Sequence, residues 1–199
     1  MEKKGTVLGL DISTSTIGVT LMYDDGTLED MWYIKPPKTN KKNGEVDMYD
    51  KIDYVGEVFN NLKTMGYVFK YVFIEEPLKN GPNINTTILL ATFNGMLSQK
   101  IKEIFNTKPI HISVHEARLL FFPEYIKTNI VKGVLKETLS FPQGLDKKKV
   151  VFDKVTYFEP YFEWVRRKDL SLKTENYDMA DSYVVAKSGL MKLGLIKKI

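Results

Sequence analysis

The first 34 residues constrain the fold more than any other stretch. Thr6-Val-Leu-Gly-Leu-Asp-Ile12 is short and nearly all apolar, interrupted only by Gly9 and Asp11, and reads as a buried strand. Ser13-Thr-Ser-Thr16 is a polar turn, and Ile17-Gly-Val-Thr-Leu-Met-Tyr23 is a second strand. Asp24-Asp25-Gly26 is a hairpin turn, with glycine where a positive φ is needed, and Thr27 to Ile34 is a third strand. Three strands joined this tightly make an antiparallel meander.

Beyond the meander the pattern alternates. Lys35 to Asp47 carries Pro36, Pro37, Asn40, Asn43 and Gly44 among lysines and reads as a basic loop. Ile52, Val55, Phe59 and Leu62 mark one face of an amphipathic helix over Met48 to Lys63, ended by Gly66. Tyr67 to Ile74 is a strand. A long helix opens at Pro82 to Asn85 and runs to about Phe105, with Ala91 and Gly95 suited to close packing. Pro109 to Val114 is a further strand, His115 to Phe122 is helical, and Tyr177 to Leu193 is a last helix. Residues 123–174, broken by Pro123, Pro142, Gly144 and Pro160, read as an irregular insertion, with a helix expected over Lys147 to about Phe158. The expectation is one α/β domain over residues 1–199. Its order is that of a ribonuclease-H-like fold: a mixed five-stranded sheet, antiparallel meander then parallel strands, with helices on both faces.

Three separate segments offer carboxylates where packing alone would not put them. Asp11 interrupts an apolar strand, and a buried lone carboxylate is costly unless paired, protonated or on a metal. Glu75-Glu76 closes the apolar strand Tyr71-Val-Phe-Ile74. Asp178 and Asp181, three apart on a helix, share one face in its first turn. Singly they have plainer readings: a turn-former, a strand end, an N-cap with a surface charge. Together they raise one another's pKa unless a cation holds them. Hard oxygen ligands of this kind select Mg²⁺ or Mn²⁺, and a pair of such ions suits phosphodiester cleavage.

The segments Leu8-Gly-Leu-Asp-Ile-Ser-Thr-Ser-Thr-Ile-Gly-Val-Thr-Leu21, Val72-Phe-Ile-Glu-Glu-Pro77 and Asp178-Met-Ala-Asp-Ser-Tyr-Val-Val-Ala186 resemble the RuvC family of Holliday junction resolvases. The resemblance implies that Asp11, Glu75, Asp178 and Asp181 are catalytic and hold two Mg²⁺ or Mn²⁺ ions. It also implies a homodimer that cuts branched DNA: four-way junctions, with flaps and forks as further substrates. It puts the strand ligand directly after the isoleucine, at Glu75 rather than Glu76. Asn83 to Phe105 resembles the family's long helix, and Lys147-Lys-Lys-Val150 the basic start of its penultimate one. Where that family's pattern continues with an aromatic after the glutamate, this chain has Glu76-Pro77-Leu78-Lys79.

Charge is mildly basic: 29 Lys and Arg against 25 Asp and Glu give +4, which permits a nucleic-acid partner. Lys38, Lys41 and Lys42 in the basic loop, Lys147, Lys148 and Lys149, and Arg166 and Arg167 are the candidate phosphate contacts. The aromatics Tyr157, Phe158, Tyr161, Phe162 and Trp164 suit either base stacking or a core. His111 and His115 read as structural or surface residues. The chain has no cysteine, which excludes thiol nucleophiles and Cys-zinc sites and suits a reducing compartment. No apolar run spans a bilayer, so no membrane partner is expected, and the expected place is the cytoplasm, that of a host if a phage encodes the chain. Two other classes share parts of the pattern. An ATP-binding or tRNA-modification protein of the actin/sugar-kinase superfold would use Leu10-Asp-Ile-Ser-Thr-Ser15 as a phosphate loop, but does not require the Asp178/Asp181 pair. A non-catalytic nucleic-acid scaffold would be repelled by four uncompensated acids.

Overall fold

A computed structural model describes residues 6–38, 47–77, 83–131 and 134–199. Its main sheet has five strands in the order β3-β2-β1-β4-β5. β1 (Thr6–Ile12), β2 (Ile17–Tyr23) and β3 (Leu28–Ile34) form the antiparallel meander. β4 (Phe69–Glu75) adds parallel to β1, and β5 (Ile110–Ile112) parallel to β4. This is the ribonuclease-H-like mixed sheet that the element order predicts.

Strand alternation gives the sheet two apolar faces, and helices cover both. Leu8, Leu10, Val19, Leu21, Val72 and Ile74 pack with Ile52, Val55 and Phe59 of α1 (Met48–Thr64) and Phe93, Leu97 and Ile101 of α2 (Ile84–Phe105). Val7, Met22, Met31 and Phe73 face the other way. They meet α3 (Val114–Phe121), α4 (Lys147–Phe158) and α5 (Glu175–Lys192) through Phe121, Val151, Val155, Met179 and Tyr183. The helix starts follow ordinary capping rules: Asp47, Asn83, Ser113 and Asp146 each accept a backbone N–H of the helix they precede.

Helix α5 is the buried centre of its layer. It crosses β2, β1 and β4 in turn in close contact. A Cβ on Gly18 would overlap the carbonyl oxygen of Asp178. One on Gly9 would lie 2.5 Å from Ala186 Cβ and 2.6 Å from the Ser182 carbonyl oxygen. At its far end Gly189 packs directly on the Phe73 ring. Between these points Thr20 and Ser182, both fully buried, share a hydroxyl hydrogen bond of 2.7 Å.

Residues 123–174 are more ordered than their sequence suggests. α4 falls on the expected Lys147–Phe158, but a hairpin precedes it: β6 (Ile126–Val131) paired antiparallel with β7 (Val134–Leu139). Apart from its base this hairpin is exposed, with Ile130, Val134 and Leu135 open to solvent. It therefore lacks the one-sided hydrophobic alternation by which strands are read. Its base is anchored by Phe141, whose ring lies 4.8 Å from Tyr125 and 5.5 Å from Phe122. The aromatic group divides: Phe158, Phe162 and Trp164 pack on the core, whereas Tyr157 and Tyr161 are 80% and 96% exposed. Of the basic loop, Lys35 to Lys38 are described, and Lys41 and Lys42 lie outside the described residues. Among the described residues no helix is long and apolar enough to cross a membrane.

Gly9→Ala is expected to destabilise the fold by about 1–3 kcal/mol, the usual cost of overpacking, because backbone lies on the far side of the contact. Gly95→Ala is the control. A Cβ there meets nothing within 4 Å, and alanine in a helix interior is expected to gain up to about 1 kcal/mol. Urea denaturation of the two variants checks both signs.

Candidate active site

β1 and β4 are parallel neighbours and end at the same edge of the sheet. Leu10 is in register with Ile74, and Asp11 and Glu75 follow one residue on. Asp11 has the parity of Val7 and Glu75 that of Phe73, so both carboxylates stand on the α5 face. Asp11 is paired across the meander with Gly18, and Gly18 is where the backbone of Asp178 rests on the sheet. The missing Cβ at Gly18 thus sets the first turn of α5 beside Asp11, and Asp181 follows one turn on.

Glu76 points the other way. Its backbone N–H donates to the Ile112 carbonyl at 2.8 Å, and its charge raises the pKa of His111 against the larger lowering effect of burial. His111 faces α2, with its ring nitrogen 3.4 Å from Ser98 Oγ. The end of β4 is held from that side by buried Asn94, whose amide donates to the Glu75 carbonyl at 3.0 Å.

Burial raises all four acids, and the charge of neighbouring acids raises three of them further. Burial, then the charges of Glu75, Asp181 and Asp178, hold Asp11 well above the usual carboxylate range. Glu75 is pushed up to about 7, by burial first and Asp181 second. Asp178 and Asp181 are also raised, mainly by burial. Arg118, Lys148 and, at Asp178, Lys35 oppose this. Arg118 of α3 lies 3.6 Å from Asp181, and Lys148 at the start of α4 lies 3.9 Å from Asp178. Among the described residues no group of three or more Asp, Glu or His side chains is drawn together closely enough to hold a metal ion as it stands. The donor set nevertheless suits a hard divalent cation. All four groups are carboxylates, they come from three elements onto one face, and three of the four raise their neighbours' pKa for want of positive charge.

Arg118 was not legible in the sequence, since a single arginine on a short amphipathic helix reads as a surface charge. The available signal was topological: α3 starts two residues after β5, which pairs with the strand carrying Glu75. Of the expected phosphate contacts, Lys148 faces Asp178 and is 60% exposed, while Lys149 pairs with Asp153 at 2.9 Å. Lys38, Lys147, Arg166 and Arg167 are exposed.

No family model matches this sequence, and no curated protein matches it. Among solved structures the chain is similar to T. thermophilus RuvC in complex with a Holliday junction substrate, with 10% identity, a TM-score of 0.60 and 96% of each chain covered. It is also similar to a second Thermus thermophilus RuvC structure, with 12% identity, a TM-score of 0.55, and 95% of this chain and 96% of that chain covered. At such identities the likeness shows a shared fold, and it extends over nearly the full length of both chains.

Glu75 gives the site a pH signature in stability. Its folded value lies above its unfolded one, so the folded state binds the proton more tightly. Stability is therefore full below the unfolded value of 4.5, falls as pH rises to about 7, and levels off above, a loss of at most about 3 kcal/mol from this group. In metal-free buffer at pH 8, Glu75→Gln is expected to melt higher than the parent and to flatten the decline between pH 4.5 and 7. A lower melting temperature for the variant at pH 8 would show that the carboxylate is not strained.

Proposed function

We propose that this protein is a divalent-metal-dependent, structure-specific endodeoxyribonuclease that resolves four-way junctions and other branched DNA by paired phosphodiester hydrolysis. The observation that carries the reading is the convergence of Asp11, Glu75, Asp178 and Asp181, from two strands and a helix, on one face of the sheet. The fold shared with RuvC structures, one of them bound to a Holliday junction substrate, supports the same reading.

In this proposal the four acids hold two Mg²⁺ or Mn²⁺ ions. Bound there, such ions lower the pKa of a water and stabilise the attacking and leaving oxygens. The chain's own residues do the rest. Glu75, with a value near 7 in their absence, gives up its proton readily when positive charge arrives. Arg118 and Lys148, which face Asp181 and Asp178, sit where a phosphate entering the site would meet them. Lys147, Lys148 and Lys149 open α4, where cations oppose the helix dipole. Their placement makes better sense against an anionic partner than as helix design. Lys38, Lys41, Lys42, Arg166 and Arg167 extend the phosphate contacts, which position DNA without reading its sequence. A four-way junction has two equivalent strands to cut, so a homodimer with two sites matches it.

Single-turnover cleavage of a four-way junction tests the proposal. Activity is expected only with Mg²⁺ or Mn²⁺. Asp11→Asn, which keeps shape and loses charge, should abolish cutting while junction binding survives. Glu75→Gln should cost orders of magnitude, and Glu76→Gln, on the α2 side of the strand, a few-fold at most. Normal cleavage by Asp11→Asn would remove it from the site. A dead Glu76→Gln beside an active Glu75→Gln would move the ligand to the opposite face of β4.

A further inference from the structure

Between α4 and α5 the chain forms a tight hairpin turn that the acidic site does not use. The Lys173 N–H donates to the Val165 carbonyl at 3.1 Å, the Arg167 N–H to Ser171 at 2.8 Å, and the Leu170 N–H to Arg167 at 3.0 Å. Asp169 Oδ1 accepts from the Ser171 N–H at 3.1 Å and from its hydroxyl at 2.6 Å. The Arg166 guanidinium donates to the Leu170 carbonyl at 2.8 Å. At the tip of this network Leu170 adopts φ +67°, the left-handed region. Glycine or asparagine takes that backbone readily, and a bulky side chain does not. The side chain is also 72% exposed, so little burial offsets the strain. A residue kept in such a conformation by its surroundings points to a use for its side chain.

The turn is fixed to the end of α5 that carries the acids. Buried Asn176, two residues before Asp178, donates to the Val165 carbonyl at 2.8 Å and accepts the Val165 N–H at 3.1 Å. Trp164 beside it packs on Phe152 of α4 at 4.5 Å. The rim is basic. Arg166, Arg167 and Lys168 are exposed, and the one acid inside the turn, Asp169, is engaged by Ser171.

We propose that Leu170 is the residue with which this protein engages the branch point of DNA, entering between bases while Arg167 and Lys168 hold the flanking phosphates. The inference rests on the nuclease reading above and adds a residue that decides substrate shape. Apolar side chains, leucine among them, wedge between base steps when a protein kinks DNA. Unstacking is least costly where stacking is already broken, which favours a branch over a continuous duplex. Cations beside the wedge anchor the backbone whatever the sequence.

The test uses the full-length protein with Ca²⁺ as the only divalent ion, and a four-way junction carrying 2-aminopurine at the branch point. A linear duplex carries the same probe. The parent is expected to bind the junction in preference to the duplex and to brighten the branch-point probe. Leu170→Gly and Leu170→Asn both suit a left-handed backbone, so their melting temperatures should equal or exceed the parent's. Both should lose most of the fluorescence rise and the junction preference while keeping duplex affinity. A full rise and unchanged preference in both variants would overturn the role of Leu170 and leave the nuclease reading standing. Lowered melting temperatures in both would overturn it too, by showing that the side chain supports the fold. A parent that cuts junctions with Mg²⁺ but never brightens the probe would sink this proposal alone. A parent that neither binds nor cuts junctions would sink both.

Discussion

Helix α5 lies on the sheet at a separation that only strands lacking a Cβ at positions 9 and 18 allow. Most of the candidate site follows from that contact. Gly18 admits the backbone of Asp178, and Gly9 admits Ser182 and Ala186. At the third crossing the glycine is on the helix, where Gly189 receives the ring of Phe73. Three close approaches along one helix fix its height, its axial position and its rotation. A helix held one side-chain layer further out would carry its carboxylates away from Asp11. The buried Thr20–Ser182 pair locks the same register, because sliding α5 would leave both hydroxyls without that partner in a buried interface.

The electrostatics work against the fold where the packing works for it. Burial raises all four acids and repulsion adds to it at Asp11, Glu75 and Asp178, while Arg118 relieves Asp181 and Lys148, with help from Lys35, relieves Asp178. Neither Arg118 nor Lys148 forms an ion pair with Asp11 among the described residues. The two apolar layers, anchored by side chains such as Phe59, Phe93, Phe73 and Tyr183, must carry that cost. Such an imbalance is a common mark of sites arranged for chemistry, where local stability is given up for a charge pattern.

How much of this the sequence disclosed depends on whether a residue's role leaves a periodic trace. The meander and the long helices did, because one-sided burial imposes alternation in strands and a stripe in helices. Asp11 stood out because it breaks such an apolar run, and the parity of Tyr71, Phe73 and Glu75 could be written down before their face was known. The face itself became readable only when Val7 and Phe73 were seen against α5 and Val72 and Ile74 against α1 and α2. Arg118 left no trace, since its partner Asp181 is 63 residues away in sequence and contact of that kind is purely tertiary. The β6–β7 hairpin was invisible for the opposite reason. Its strands bury neither face for most of their length, so no pattern distinguishes them from a loop.

That hairpin also shows how the long segment between α3 and α5 is stabilised. Two strands alone are marginal in water. Here the open end is unsupported while the base is stapled by Tyr125, Leu139 and Phe141 against Phe122. The next part of the segment is held by α4 through Phe152 and Val155, and the last part by Asn176 and Trp164. Each anchor lands on the residue that caps α3, on α4 or on the first turn of α5, and these three helices also carry Arg118, Lys148 and the two helix acids. The cations and the carboxylates are therefore fixed to one another through the same packed layer. Their relative positions are set by the core before any ligand arrives, so a charged ligand meeting both would need little rearrangement of the protein.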